Sequence, residues 1–109
     1  MKISKELLKG STATMILKVI SEEDAYGYQI VQQLSQRSND LFKLNEGTLY
    51  PILHSLEKEG YVESYRKMTE SGRERRSYKI TFDGKLVLSQ RLKEWRLFSE
   101  TVNHVLTED

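Results

Sequence analysis

Cysteine is absent from this 109-residue chain. That excludes disulfides and thiolate metal sites, and it suits a reducing cytosol, so a cytoplasmic location is expected. No apolar run approaches the ~18 residues of a membrane span, so no membrane partner is expected. Lys2 is not followed by an apolar stretch, which argues against a secretory signal. An excess of one charge is also missing: 17 Lys and Arg meet 16 Asp and Glu, for a net +1. Composition therefore announces no polyanion partner, and any basic patch has to be local. Catalytic patterns are equally scarce. His54 and His104 have no carboxylates nearby at metal-ligand spacing, and no phosphate-binding loop is present. Gly10-Ser-Thr lies inside a helical pattern rather than in a G-x-S-x-G elbow. Neither an enzyme, a cofactor nor a metal site is expected.

Proline occurs once, and its place is informative. Pro51 stands among Leu49, Ile52, Leu53 and Leu56, which share one buried helical face. Proline inside a helix costs roughly 3 kcal/mol, so Pro51 is tolerable only near the start of this one. If Thr48 is the N-cap, Pro51 sits at N3, where the missing N–H had no intrahelical partner. If Asn45 is the cap, a bond to the Gly47 carbonyl is lost. Gly60 closes the helix as its C′ residue.

The remaining elements follow from the same periodicities. Leu7, Leu8, Ala13, Ile16, Leu17 and Ile20 predict one helix over 4–20, with Ser4 as N-cap. Asp24 is expected to cap a second helix over 25–36, with Tyr26, Ile30 and Leu34 on one face. Residues 62–67 and 77–80 predict two strands joined by a long polar loop containing Gly72. Thr81 is expected to cap a last helix over 83–106. Gly84 costs that helix about 1 kcal/mol against alanine, which is bearable so near its start.

Three helices, a hairpin and a further helix make a mainly α chain with a small β-hairpin. This is the order of a winged helix-turn-helix, whose third helix enters the DNA major groove while the wing touches the neighbouring backbone. The division expected is residues 1–81 as the DNA-binding part and 82–109 as a C-terminal dimerisation helix. The charges agree. Between Arg66 and Lys79 the cations are Arg66, Lys67, Arg73, Arg75, Arg76 and Lys79, against Glu70 and Glu74, a local +4. Double-stranded DNA is the partner such concentrated charge suits. Candidate contacts are Asn45, Thr48, Tyr50 and His54 on the third helix, with Arg73, Arg75, Arg76 and Lys79 on the wing. Glu57 and Glu59 are expected to face away from phosphates.

Three stretches resemble the PadR family of bacterial transcriptional regulators: Tyr26-Gly-Tyr-Gln-Ile, Glu46 through Gly60, and Gly72-Arg-Glu-Arg-Arg-Ser-Tyr-Lys-Ile-Thr. The single C-terminal helix is similar to the compact subgroup. The resemblance implies a homodimeric winged helix-turn-helix that represses at pseudo-palindromic operators. Independently, Leu88, Leu92, Trp95, Val102 and Leu106 fit a seam with Ser99 in the remaining place, widened by Phe98 and Val105, which a second copy would cover. Similarity to multidrug-binding members implies that paired Trp95 rings sandwich a small aromatic or phenolic effector. Leu8, Ser11, Met15, Leu88 and Leu92 would line that space. The competing reading is a winged-helix protein-interaction module that does not touch DNA.

Overall fold

The helix expected over 4–20 is two helices. In the computed structural model, which describes residues 2–107, α1 spans Lys5–Lys9 and α2 spans Thr12–Glu22. Ser4 does cap the first, accepting from the Leu7 N–H. The break comes at Gly10 and Ser11. The Thr12 hydroxyl donates to the Leu8 carbonyl at 2.8 Å, and Ser11 and Leu8 close a tighter backbone bond at 3.0 Å. Short hydroxyl side chains that compete for backbone acceptors favour turns over helix interiors. The last two residues of the expected unit 82–109, and Met1 of 1–81, lie outside the described residues.

Asp24 caps nothing. Ala25–Tyr26 is instead a short strand, β1, and helix α3 runs Gly27–Arg37. Its start is satisfied from inside the helix, where the Gln29 side chain accepts from the Tyr26 N–H at 3.1 Å. Asp24 accepts from the Tyr65 hydroxyl at 2.6 Å. The link to the next helix turns through Asn39 and Asp40, both at positive φ, a conformation these two residue types tolerate better than most.

Helix α4 spans Glu46–Lys58, and Asn45 is its cap, accepting from the Thr48 N–H at 2.9 Å. Pro51 therefore does forfeit the bond to the Gly47 carbonyl. Burial outweighs that loss: Leu49, Leu53 and Leu56 are all core residues, and each contributes about 1.5–3 kcal/mol. The helix ends as expected. Gly60 takes φ +82°, its N–H bonds the Glu57 carbonyl, and the Tyr61 N–H returns to Leu56.

Strands β2, Val62–Met68, and β3, Glu74–Ile80, are longer than the sequence suggests, and β1 joins them on the far side of β3. All pairs are antiparallel. Helix α5 covers Phe82–Leu106 with Thr81 as cap. Its base is fixed to the end of α4. The Thr81 hydroxyl donates to the Gly60 carbonyl at 2.7 Å and its N–H to Tyr61 at 3.0 Å. A Cβ on Gly84 would overlap the Tyr61 carbonyl oxygen, so the glycine is a requirement of close approach rather than a tolerated cost. The core gathers Ile16, Leu17 and Ile20 with Ile30, Leu34, Leu49, Leu53, Val62, Tyr78 and Leu88. The radius of gyration is 15.4 Å, against ~13 Å for a globule of this length. The 25-residue α5, ~37 Å long, carries that excess. No helix among the described residues is long and apolar enough to cross a membrane.

Candidate nucleic-acid interface

Helix α4 has a wide outward face because only one stripe of it is buried. At ~100° per residue, Tyr50 and Glu57 lie on the edge toward α3 and the ribbon, and Thr48 and Ser55 on the opposite edge. Gly47, Pro51, His54 and Lys58 fill the middle. The four expected contacts thus share the helix but not one line. Asn45, Thr48 and His54 are exposed. Tyr50 is 43% exposed, yet its hydroxyl reaches back over α3, where a Cβ on Gly27 would stand 2.5 Å from it. Tyr50 therefore packs across the first turn of α3 while keeping one flank open. Lys58 was not among the expected residues. Its signal was legible as a cation one helical turn beyond His54, on the same face.

The ribbon separates what the sequence places in one cluster. Side chains alternate across a strand, so Arg66 and Arg76 share the face turned to α4, while Lys67, Arg75 and Lys79 share the other. Arg73 sits in the turn, which is closed by Thr69 bonding the Arg73 carbonyl and by Gly72 at φ +81°. The register sets Arg66 directly opposite Arg76 and Lys67 directly opposite Arg75. Two like-charged pairs thus stack toward the tip.

Neighbouring groups hold these cations in different ways. Arg76 bonds Glu57 at 3.4 Å and Arg66 approaches Glu74 at 4.0 Å. Arg75 lies over the Tyr26 ring, 5.6 Å from its centroid. Lys67, Arg73 and Lys79 have no ion pair among the described residues. Glu57 does not simply face away, as expected. It accepts from the Ser64 hydroxyl at 2.5 Å as well as from Arg76, and the hydroxyl first, then the guanidinium, holds its carboxyl below the ordinary carboxylate range. Glu59 is exposed at the C-cap of α4.

The residues expected around an effector are scattered in burial. Leu8, Ser11 and Met15 are half-buried. Leu88 is 6% exposed and Leu92 packs against the core, so both are used within the chain, and the expected seam loses its first two places. Trp95, 51% exposed, begins the open part, with Phe98 6.1 Å away between ring centroids. A groove of about 270 Å³ lies between α2, α4 and α5, lined by Ala13, Pro51, Ile52, Ser55 and Arg91 among others. A second of about 270 Å³ lies against Glu22, Asp24 and Gln29. Neither includes any of the six expected effector residues. Among the described residues no cluster of His, Cys, Asp or Glu could hold a metal.

Residues 16–90 match the transcriptional regulator PadR-like family. The chain is 37% identical over 101 residues to an uncharacterized protein of Lysinibacillus sphaericus, with 93% of each chain covered. It is 29% identical over 102 residues to a transcriptional regulator of Mycobacterium tuberculosis, covering 94% of this chain and 89% of that one. A transcriptional regulator from Clostridium thermocellum superposes with a TM-score of 0.86 at 32% identity, over 94% of this chain and 100% of that one. A PadR-like transcriptional regulator from Bacillus cereus does so at 0.85 and 32%, over 96% and 100%. A helix with an open polar face beside a cationic ribbon, on a fold shared at this level, places the chain in the PadR-like family of transcriptional regulators, a class of regulators and not of enzymes.

Proposed function

We propose that this regulator works in the cytoplasm as a homodimer that binds a pseudo-palindromic operator and represses transcription from it. Helix α4 would enter the major groove, with Asn45, Thr48, Tyr50 and His54 toward bases or phosphates. Arg73, Arg75, Arg76 and Lys79 on the ribbon would meet the backbone beside it. One observation carries the DNA reading. Like charges directly opposite one another destabilise a strand pair, yet this ribbon sets Arg66 against Arg76 and Lys67 against Arg75. Glu57 and Glu74 offset the first pair in part, the second has no carboxylate within pairing distance among the described residues, and a polyanion beside the ribbon relieves both. The docking-module alternative accounts for it only with a strongly acidic partner.

The second copy is supported by the open half of α5. Trp95, Phe98, Val105 and Leu106 are exposed along one side of it. A stripe of this kind on an otherwise closed core favours coverage by a partner. Two-fold symmetry would set the two α4 helices about one DNA turn apart, ~34 Å. A small aromatic or phenolic effector at paired Trp95 rings would act through that same seam. The test is fluorescence anisotropy with the duplex upstream of the protein's own gene. Wild type should bind, and Arg75→Ala/Arg76→Ala should bind at least tenfold more weakly with a shallower salt dependence. Equal binding by the double variant removes the ribbon from the interface. No binding to any duplex in dilute buffer sinks the reading.

A further inference from the structure

Glu57 places a carboxylate between the outward helix and the ribbon. It stands one residue before the end of α4, half-buried. One oxygen accepts from Ser64 Oγ on β2 at 2.5 Å, and the other from Arg76 Nη2 on β3 at 3.4 Å. The two contacts differ in kind. The Ser64 bond is short and fixes the carboxylate to the base of the ribbon. The Arg76 bond is long beside the ~2.7–2.9 Å usual for a guanidinium on a carboxylate, it engages one nitrogen only, and the Arg76 side chain is 57% exposed. The carboxylate is thus anchored at one end and holds the arginine loosely at the other. Arg76 also lies directly across from Arg66, whose own carboxylate partner, Glu74, is 4.0 Å away. An anion beside Arg76 offsets that repulsion, and a phosphate oxygen offers the same charge and the same acceptor geometry as Glu57. On the opposite face Lys67, Arg75 and Lys79 have no carboxylate within pairing distance among the described residues.

We propose that Glu57 is an internal stand-in for a DNA phosphate: it keeps Arg76 folded against α4 in the free protein and yields it to the backbone of the duplex on binding. The proposal rests on the DNA-binding reading above and adds a positioning residue to it. Glu57 pre-sets the arginine near its working place, and each binding event has to exchange one anion for another. Affinity is therefore lower than the cations of the ribbon would otherwise give.

Anisotropy with a random-sequence duplex at several salt concentrations tests this, with thermal unfolding followed alongside. Glu57→Gln keeps an acceptor for Ser64 and removes the charge. It should tighten binding about two- to fivefold, the range of an exposed ion pair. It should also steepen the fall of log affinity with log salt by up to ~0.9, because no vacated carboxylate takes back a cation. In an Arg76→Ala background the same change should do neither. Glu57→Asp keeps the charge but withdraws it by one methylene, and should tighten binding by less, again only when Arg76 is present. If Glu57→Gln fails to fold, the Asp variant in both backgrounds makes the same comparison. Unchanged or weaker binding by the Glu57 variants overturns the proposal. So does a gain that persists undiminished without Arg76, since loss of a negative charge would then explain it. Failure of wild type and Glu57→Gln alike to bind any duplex overturns the DNA reading itself, and the proposal with it.

Discussion

Two glycines show how a single Cβ can act on stability or on the surface. Gly84 faces backbone: an added methyl would meet the Tyr61 carbonyl, which is itself bonded to Thr81 and cannot step aside. Gly84→Ala should cost about 1–3 kcal/mol of stability, read as a lower urea midpoint, although alanine is the better helix former. Gly27 faces the tip of a flexible side chain, the Tyr50 hydroxyl. Gly27→Ala should stay within about 0.5 kcal/mol of wild type while turning Tyr50 outward, visible as a change in Tyr50 ring resonances. Equal losses in the two variants would contradict this distinction. The sequence marks Gly84 only as a helix residue of low propensity and Gly27 only as part of a short motif. What each one touches comes from a distant segment.

At the scale of elements, the join between α4 and the ribbon has a pH signature. The lowered pKa of Glu57 means that its contribution to stability is complete above the ordinary value of 4.5 and is lost as pH falls through the folded-state value. Wild type should therefore lose more thermal stability between about pH 5 and about pH 3 than Glu57→Gln does. Parallel acid limbs for the two proteins would refute the link. Tyr65 has the opposite sign. The Asp24 carboxylate on its hydroxyl raises its pKa, so its contribution holds below 10.0 and fades as pH rises through the higher folded value.

Helices α3, α4 and α5 were legible because each carries an apolar stripe at helical spacing, and because Thr81 and Gly60 carry end signals that need no tertiary partner. Two features were not legible. Ala25–Tyr26 is too short to show a period, and it is a strand only because Tyr78 and Ser77 lie opposite. The +4 charge of the ribbon could be counted, but its division between two faces depends on register, which the long loop left open.

For the molecule as a whole, the division of α5 decides which substitutions act on folding and which on assembly. Leu88 is enclosed by the chain's own core. Leu88→Ala should cost about 2–5 kcal/mol whatever the protein concentration. Trp95 is open in the single chain, so Trp95→Ala should leave the urea midpoint at high dilution nearly unchanged and lower the sedimentation-derived association constant at least tenfold. A wild-type protein that sediments as a monomer at micromolar concentration would rule out the dimer.

The fastening at the foot of α5 has a mechanical result. Thr81 and Gly84 fasten the rod to the end of α4 through Gly60 and Tyr61, so the two are joined at one point. In a pair of chains gripping each other by the far end of this lever, a tilt of about 10° over ~37 Å carries the tip ~6 Å. With those gripped ends held, the ~6 Å falls on the α4 helices instead, about half the ~12 Å width of the major groove. Under the proposed homodimer, any spreading of the rods would put both α4 helices out of step with the duplex.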